Sequence, residues 1–356
     1  MLTIDGSHGE GGGQVLRTGL SLSALLGRDL RIVNIRAGRS KPGLAAQHLT
    51  SARAAAAVCG ASLKGDRIGS MEIEFRPREL RGGRYQFEVG TAGAATLVMQ
   101  TVLPALLFAP NSSHLQVHGG TNVQWSPSHE YISEVFLPTI GEMGAEVALE
   151  CLLPGFFPKG GGCIEARVQP LERGLKPLDW RERGDLRSLT AYSVAESRLP
   201  SHIVRRQIDA AREALGSAGV RALESRPASH CPGTSLVIAA SFDHGRAGFT
   251  ALGRRGKSAE EVGQEAGGQA ARFLEGTASV DRHLADQVLL YAAIAGGRTE
   301  CLTDGMTEHI RTNAWVIGEF LDVDITINES TGVVTVDGVG MPPATGGRGN
   351  WGEGND

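Results

Sequence analysis

A glycine-rich turn that leads into an apolar helix recurs three times along this chain. The apolar helices are predicted at residues 13–26, 93–108 and 284–295, because apolar residues recur there at spacings of three and four. Such a unit cannot bury its apolar face alone, so neighbouring copies must share a core. The repetition therefore predicts three copies of a small unit of roughly 80 residues.

A second helix is predicted in each unit, at residues 42–58, 127–143 and 307–320. Proline near the start and glycine just past the end mark the first two of these helices. The predicted fold class is α+β, an α/β two-layer fold in which each βα unit places about two helices on a four-stranded sheet. Strand-like segments between the helices span residues 30–36, 71–75, 85–89, 115–118, 162–168 and 332–336.

The third unit is interrupted. Its opening strand is predicted near residues 156–168, and its helices return only after Gly276. The residues between have strands and helices of their own, which is typical of an inserted domain. Those strands are predicted at 186–193, 235–242 and 249–253, and the helices at 203–214 and 258–274. The predicted division is a large domain (1–184 plus 276–339), a small inserted α/β domain (185–275) and a Pro/Gly-rich, disordered tail (340–356).

Composition excludes several classes of protein. With 356 residues, 41% of them hydrophobic, the chain can bury a large core. Its five cysteines form no CxxC pair, so neither a zinc ribbon nor a disulfide framework is indicated. The first ten residues lack a basic and apolar leader, and the longest apolar block, 97–109, is too short to cross a bilayer. We therefore expect a cytoplasmic protein with no membrane partner.

Positive charge is concentrated near the start of the chain. The net charge of −4 argues against nonspecific coating of nucleic acid. Between Arg17 and Arg53, however, there are seven basic residues and one acidic residue. Such a patch can bind a polyanion in a mildly acidic protein. The alternative is a solvated charged face.

The stretch "SHGEGGGQVLR", residues 7–17, is a glycine-rich loop that opens a helix. It lacks the lysine and spacing of a P-loop, and it is not a GxGxxG loop that feeds a parallel strand order with an acidic residue about 20 residues on. Backbone N–H groups at a helix start can hold an anion. Glu10 would repel a bare phosphate, which suggests a divalent cation between the two. The alternative is a tight turn with a solvent-facing glutamate.

A second stretch, "IRAGRSKPGLAAQHL", places cations beside glycines. Such a group resembles a phosphate clamp, although an ordinary loop before a helix would look the same. The cations are Arg36, Arg39 and Lys41, the glycines are Gly38 and Gly43, and Gln47 and His48 follow on the predicted helix.

Two further helix starts have polar residues that could do chemistry. His309 lies in the first turn of its predicted helix, where the helix dipole favours a neutral imidazole. A neutral imidazole is a competent nucleophile towards phosphorus. Asp286 and Gln287 lie near the start of an otherwise apolar helix. The alternatives are a surface or capping histidine and ordinary helix-start hydrogen bonding.

Together these stretches resemble one family, the RNA 3′-terminal phosphate cyclases. The resemblance covers residues 1–337 and rests on seven motifs in the family's order. They are "DGSHGEGGGQVLRTGLSLSAL", "IRAGRSKPGLAAQHL", "GTAGAATLVMQTVLPALLFA", "HGGTN", "FFPKGGG", "HLADQ" and "TEHIRTN".

The resemblance implies an ATP-dependent, ligase-class reaction. ATP would adenylate a histidine and release pyrophosphate. The AMP would move to an RNA 3′-phosphate, giving RNA(3′)pp(5′)A. The neighbouring 2′-OH would then displace AMP and leave a 2′,3′-cyclic phosphodiester. The implied cofactors are ATP and a divalent cation, Mg2+ or Mn2+, and the implied partner is RNA with a 3′-phosphate.

The resemblance also assigns residues. His309 matches the nucleophile, and Glu10 matches the metal-associated carboxylate. Two larger sets remain. The ATP-binding positions would be Gln100, His283, Leu284, Ala285, Asp286 and Gln287, and the RNA- and phosphate-binding positions would be Arg17, Arg36, Arg39, Gln47 and His48.

One departure and two alternatives accompany this assignment. His283 stands where an aromatic residue such as tyrosine is expected, which affects nucleotide packing. Cyclase-like members of the family act in ribosome assembly without catalysis and lack the histidine, whereas this chain retains His309. Enolpyruvyl transferases are built from similar repeats, and they need no nucleophilic histidine. ATP dependence separates these possibilities.

Overall fold

The computed structural model describes residues 1–216 and 219–343. The first unit consists of six elements in a β-α-β-α-β-β order. Its sheet has the strand order β1-β2-β4-β3, in which β1 and β2 are parallel and the other pairs are antiparallel. The elements are β1 (Leu2–Asp5), α1 (Gln14–Leu26), β2 (Leu30–Val33), α2 (Ala46–Cys59), β3 (Ser62–Lys64) and β4 (Ile73–Arg76).

The second unit repeats this order. Its sheet, β5-β6-β8-β7, has the same pattern of parallel and antiparallel pairs as the first. Its second helix is one run in which α4 (His129–Tyr131) and α5 (Leu137–Glu142) are joined by a π-helix (Ile132–Phe136). The other elements are β5 (Arg84–Glu88), α3 (Ala95–Leu107), β6 (Ser113–Gly119), β7 (Val147–Leu153) and β8 (Gly162–Val168).

The third unit opens with β9 (Asp179–Trp180), and an insertion follows at once. The insertion has its own sheet, in the order β11-β10-β12-β13, and its two helices α6 and α7 pack against each other. Its elements are β10 (Leu186–Ala195), α6 (Ile203–Leu215), β11 (Arg221–Ser225), β12 (Thr234–Phe242), β13 (Gly245–Leu252) and α7 (Ala259–Glu275).

After the insertion the third unit resumes and completes the same topology. Its sheet has the order β9-β14-β16-β15, with β9 and β14 parallel. The structure thus confirms the predicted two-layer α+β fold of three repeats, while the bounds of the inserted domain stay a prediction. The remaining elements are α8 (Arg282–Ile294), β14 (Gly296–Leu302), α9 (Glu308–Phe320), β15 (Asp324–Asn328) and β16 (Val333–Val339).

The three units close into a ring through their helices. Each second helix packs against the first helix of the next unit: α2 against α3, the π-helix against α8, and α9 against α1. The contact between α9 and α1 joins the two ends of the chain. One continuous apolar core therefore runs through all three units.

The insertion rests on this ring through one face of its sheet. On β12, Leu236 and Ile238 belong to an apolar cluster with α6 and α7, while Val237 belongs to the main core. Gly248 of β13 lies so close to Tyr131 that a Cβ atom there would be 2.6 Å from the ring. Among the described residues, no helix is both long and apolar enough to cross a membrane.

Two element predictions are wrong. The helix predicted from residue 42 begins at Ala46, because Gly43 has φ +78° and donates its N–H to the Ile35 carbonyl, 2.8 Å away. The strand at 162–168 pairs with β6 and β7, so it closes the second unit and does not open the third. The strand that opens the third unit, β9, has two residues and carries no alternating pattern.

Two further predicted elements are shorter or less regular than expected. The strand predicted to reach residue 36 ends at Val33, since Asn34 and Arg36 have positive φ. The helix predicted at 127–143 contains the π-helical stretch. Most of the tail predicted at 340–356 lies outside the described residues.

Candidate active site

A cavity of about 860 Å³ lies where α1, α3, α8 and α9 meet the inserted sheet. All three units and the insertion contribute to its wall. The ring packing brings these helices together, so residues far apart in the sequence face one space. The predicted site residues that line it are Arg17, Gln100, His283, Asp286, Gln287 and His309.

His309 projects from the first turn of α9. Thr307 caps this helix, and its hydroxyl accepts the N–H of Ile310 at 3.2 Å. The His309 side chain is 38% exposed, and its Nε2 atom is 3.2 Å from Glu10 Oε2. Nδ1 is buried and has no hydrogen-bond partner among the described residues. The nucleophile predicted from the sequence thus lies on the cavity wall beside the predicted metal-associated carboxylate.

Glu10 lies in the glycine loop between β1 and α1. Gly9 and Gly11 on either side have φ of +61° and +55°, which favour glycine. Glu10 Oε2 also lies 3.6 Å from Arg39 Nη2. This carboxylate therefore joins the imidazole to the cation cluster, which consists of Arg36, Arg39 and Lys41.

The donor chemistry at Glu10 suits a divalent cation that phosphate helps to hold. Among the described residues no group of three His, Cys, Asp or Glu is assembled to hold a metal ion. Mg2+ is commonly bound through one or two carboxylates together with substrate phosphates. A single carboxylate in a loop predicted to bind phosphate fits that pattern.

A hydrogen-bond chain links α1, α9 and α8 behind His309. Arg17 donates to Gln14 at 2.6 Å, and Gln14 donates to Asn313 Oδ1 at 2.7 Å. The Asn313 amide in turn donates to the Asp286 carboxylate. Burial raises the pKa of Asp286, although His309 and Arg17 oppose this effect. Burial lowers the pKa of Arg17 to about 10, which leaves it charged at neutral pH.

Three of the predicted phosphate-binding residues, Arg17, Arg39 and His48, lie against the glycine loop. Burial, with help from Arg17 and Arg36, lowers the pKa of His48 to about 3, so this imidazole is neutral. His48 and Arg17 both touch Gly13: a Cβ atom there would lie 2.8 Å from His48 Cδ2 and from Arg17 Nη1. Gln47 is turned towards the second unit, where it accepts the Ala94 N–H at 2.9 Å.

The predicted ATP-binding residues divide into two groups. Gln100 donates to Gln287 at 2.7 Å, which joins α3 to α8 on the cavity wall. The side chains of Leu284 and Ala285 are buried, and these residues are not part of the wall. Their N–H groups donate to Asp281. Neither offers a free donor, and their role in ATP binding stays a prediction.

Sequence reasoning missed several residues of this region. Gln14 and Asn313 form the chain behind His309, and Asn313 could have been found because it lies four residues after His309 on one helix face. Asp281 caps α8 by accepting the N–H groups of His283 and Leu284, and it also accepts the Tyr131 hydroxyl. No sequence pattern signals that last contact.

Comparison with known proteins gives a consistent result. The sequence model for RNA 3′-terminal phosphate cyclase matches residues 8–327. Similar proteins from several organisms carry the name RNA 3′-terminal phosphate cyclase. One from Methylococcus capsulatus is 44% identical over 95% of this chain and 97% of its own length. One from Pyrobaculum aerophilum is 43% identical over 95% and 98%. One from Archaeoglobus fulgidus is 46% identical over 90% and 96%.

Proposed function

The chain belongs to the RNA 3′-terminal phosphate cyclase family, and from this premise we propose that it uses ATP to convert an RNA 3′-phosphate to a 2′,3′-cyclic phosphodiester. AMP and pyrophosphate are the other products. The observation that carries the proposal is the position of His309: its Nε2 atom faces Glu10 at 3.2 Å, on the wall of a cavity large enough for a nucleotide.

In the first step, His309 Nε2 attacks the α-phosphorus of ATP. The bond from that phosphorus to the bridging oxygen breaks, pyrophosphate leaves, and a histidine–AMP adduct forms. Attack requires a lone pair on Nε2, and Glu10 Oε2 lies where it can take the proton from that nitrogen. The chain of Arg17, Gln14 and Asn313 holds α9 in register with α1.

In the second step, an oxygen of the RNA 3′-phosphate attacks the adduct. The P–N bond breaks, the imidazole is restored, and RNA(3′)pp(5′)A forms. In the third step, the terminal 2′-OH attacks the 3′-phosphorus, loses its proton and displaces AMP. The requirement for a 2′-OH makes RNA the substrate.

The RNA phosphate would be held by the cations beside the glycine loop. Arg36 is anchored by a 2.7 Å hydrogen bond to the Gly43 carbonyl, and Arg39 lies beside Glu10. Neutral His48 can accept or donate a hydrogen bond without adding charge. A divalent cation, Mg2+ or Mn2+, would bind at Glu10 and neutralise phosphate charge there.

The test is transfer of label from ATP to the protein. We expect the wild-type protein, incubated with ATP labelled on the α-phosphate and Mg2+ or Mn2+, to gain acid-labile label. His309→Ala should lose the label without unfolding, because the residue lies at a helix start and not in the core. His244→Ala is the matched control, since His244 is exposed in the turn between β12 and β13.

Three results are informative. Label on the wild type and on the His244 variant alone supports the histidine–AMP step. Normal label on His309→Ala contradicts the assignment of the nucleophile. No label on any of the three proteins favours a cyclase-like ribosome-assembly factor without catalysis, for which RNA binding would be measured next.

A further inference from the structure

Trp125 is the most exposed large apolar residue of the described chain. Its side chain is 95% exposed, although tryptophan is costly to leave in water. It lines the same cavity as His309. Its backbone has φ +64°, a left-handed conformation that is unusual for a bulky residue and costs about 1–3 kcal/mol. An exposed aromatic in a strained conformation at a cavity mouth suggests a binding role.

The exposure of Trp125 is built into a firmly held loop. Before it, Asn122 donates to Ser235 of the insertion at 2.9 Å. After it, the Ser126 hydroxyl donates to the Val123 carbonyl at 3.0 Å, and Thr96 of α3 donates to the Pro127 carbonyl at 2.9 Å. Both flanks are thus tied to packed elements, so the ring is presented outward by rigid neighbours.

This loop is connected to Gln47, a predicted phosphate-binding residue, through a short series of contacts. Gln47 accepts the N–H of Ala94, and Ala94 forms a parallel bridge with Gly120. Val123 packs in a small apolar cluster with Ala94 and Leu97. Trp125 follows two residues later. The loop that carries Trp125 is therefore connected by packed residues to Gln47, one of the predicted phosphate-binding residues.

We propose that Trp125 is a stacking surface for a nucleobase of the RNA strand whose 3′-phosphate reaches the cation cluster. The proposal rests on the proposed function. A single-stranded RNA end exposes its bases, and aromatic side chains bind them by stacking. The predicted ATP positions Gln100 and Gln287 are hydrogen-bonded to each other on the helices of the wall, whereas the Trp125 ring is open to solvent. An open ring suits a strand that arrives from outside.

The first experiment measures binding of a short fluorescent RNA with a 3′-phosphate by anisotropy, without ATP. Stacking contributes about 1–3 kcal/mol per base, so Trp125→Ala should weaken binding roughly 5- to 150-fold. Trp125→Phe should recover most of the affinity. Phe157→Ala is the control, because Phe157 is also exposed, at 74%, but is not part of the cavity wall.

A second probe is the same RNA in which the last two nucleotides keep their ribose and phosphate groups but lack their bases. If Trp125 stacks on a base, the wild type and Trp125→Ala should bind this abasic RNA with nearly equal affinity. Equal affinity of both proteins for the intact RNA would overturn the proposal. The proposal would also be overturned if Trp125→Ala raised the ATP concentration for half-maximal labelling by a larger factor than it weakened RNA binding. Trp125 would then contact the adenine of ATP.

The binding readout is independent of catalysis. If the wild type gains no label from ATP, the proposed function fails, yet weaker RNA binding by Trp125→Ala would still support stacking. If labelling succeeds and RNA binding is unchanged in the variant, only the stacking proposal fails.

Discussion

The first and second units share one topology, but the loops that precede their first helices serve different ends. In the first unit, the loop before α1 carries Glu10, which faces His309 and Arg39. In the second unit, residues 90–94 before α3 carry no charge. Their backbone is packed closely: a Cβ atom on Gly160 would lie 2.7 Å from the Thr91 carbonyl.

The difference indicates that the repeated topology fixes where a helix begins, and that the residues of the preceding loop determine which groups lie at that helix start. Both units place a helix start at this position, but in the second unit the N–H groups of Ala94 and Ala95 donate to Gln47 and to the Gly120 carbonyl. Charged side chains surround the first helix start, which supports the proposed binding site there, whereas close backbone packing surrounds the second. The second unit contributes to the cavity elsewhere, through Gln100 on α3 and Trp125 in its later loop.

Among the variants that test this difference between the two loops, Gly13→Ala is expected to have the largest effect. In Gly13→Ala the new Cβ would press on His48, which is buried, and on Arg17. A displacement of about 1 Å in a catalytic site can cost 100-fold in rate, so we expect at least a 100-fold loss of adenylation rate. Crowding of the buried His48 ring should also lower the free energy of unfolding by about 1–3 kcal/mol. Rapid-quench labelling and urea unfolding measure the two quantities.

The matched variant lies in the second unit. Gly93→Ala would press on Val89 Cγ1, 2.8 Å away, and should lower the free energy of unfolding while folded molecules keep their labelling rate. A comparable rate loss in both variants would mean that the two loops do not differ in use.

The next effect concerns His48 and pH. Its pKa is about 3 in the folded protein, below the ordinary value of 6.5, so the unfolded chain binds a proton that the folded protein excludes. Stability is therefore lost as pH falls below 6.5, by about 2 kcal/mol at pH 5. His48→Asn keeps an acceptor for the Ala45 N–H and should remove this loss.

Urea unfolding at pH 7 and pH 5 checks this expectation. The difference between the two pH values should be smaller in His48→Asn by about 2 kcal/mol. The exposed-site variant His244→Asn should resemble the wild type. An unchanged pH difference in His48→Asn would indicate that His48 is hydrated in the folded protein, so that its pKa is not lowered by burial.

The smallest effect is expected at Glu10. Glu10→Gln keeps the shape but removes the charge between His309 and Arg39. Hydrogen bonds to charged groups contribute about 1.5 kcal/mol or more, so the adenylation rate should fall about tenfold. The Mg2+ concentration for half-maximal labelling should rise.

Glu88→Gln is the counterpart in the second unit, because Glu88 ends β5 just before the uncharged loop. Glu88→Gln should leave both the adenylation rate and the Mg2+ concentration for half-maximal labelling unchanged. An unchanged metal requirement in Glu10→Gln would sharpen the assignment by leaving only the proton-accepting role.

Local patterns predicted the elements well and the pairing of distant residues poorly. The spacing of apolar residues located α1, since Gly27 with φ +64° ends it where the sequence indicates. The start of α2 was predicted too early. The Gly43 N–H donates to the Ile35 carbonyl, outside the helix, and the helix begins at Ala46.

The candidate site shows the same limit. Resemblance indicated His309 and Glu10 separately, but their contact depends on α9 packing against α1, which no spacing reveals. Trp125 lies in a stretch with no functional pattern, and its exposure depends on a loop held by Ser235 of the insertion. Tertiary packing therefore had to supply these contacts.

The closing of the ring has a consequence for biosynthesis. Because α9 packs against α1, the site is shared between residues that the ribosome makes at well-separated times; Gln14 and Asn313 are 299 positions apart. A chain released early would carry the arginine cluster without the histidine. On the proposed mechanism such a fragment has no nucleophile to adenylate, so synthesis through α9 is itself a condition for activity.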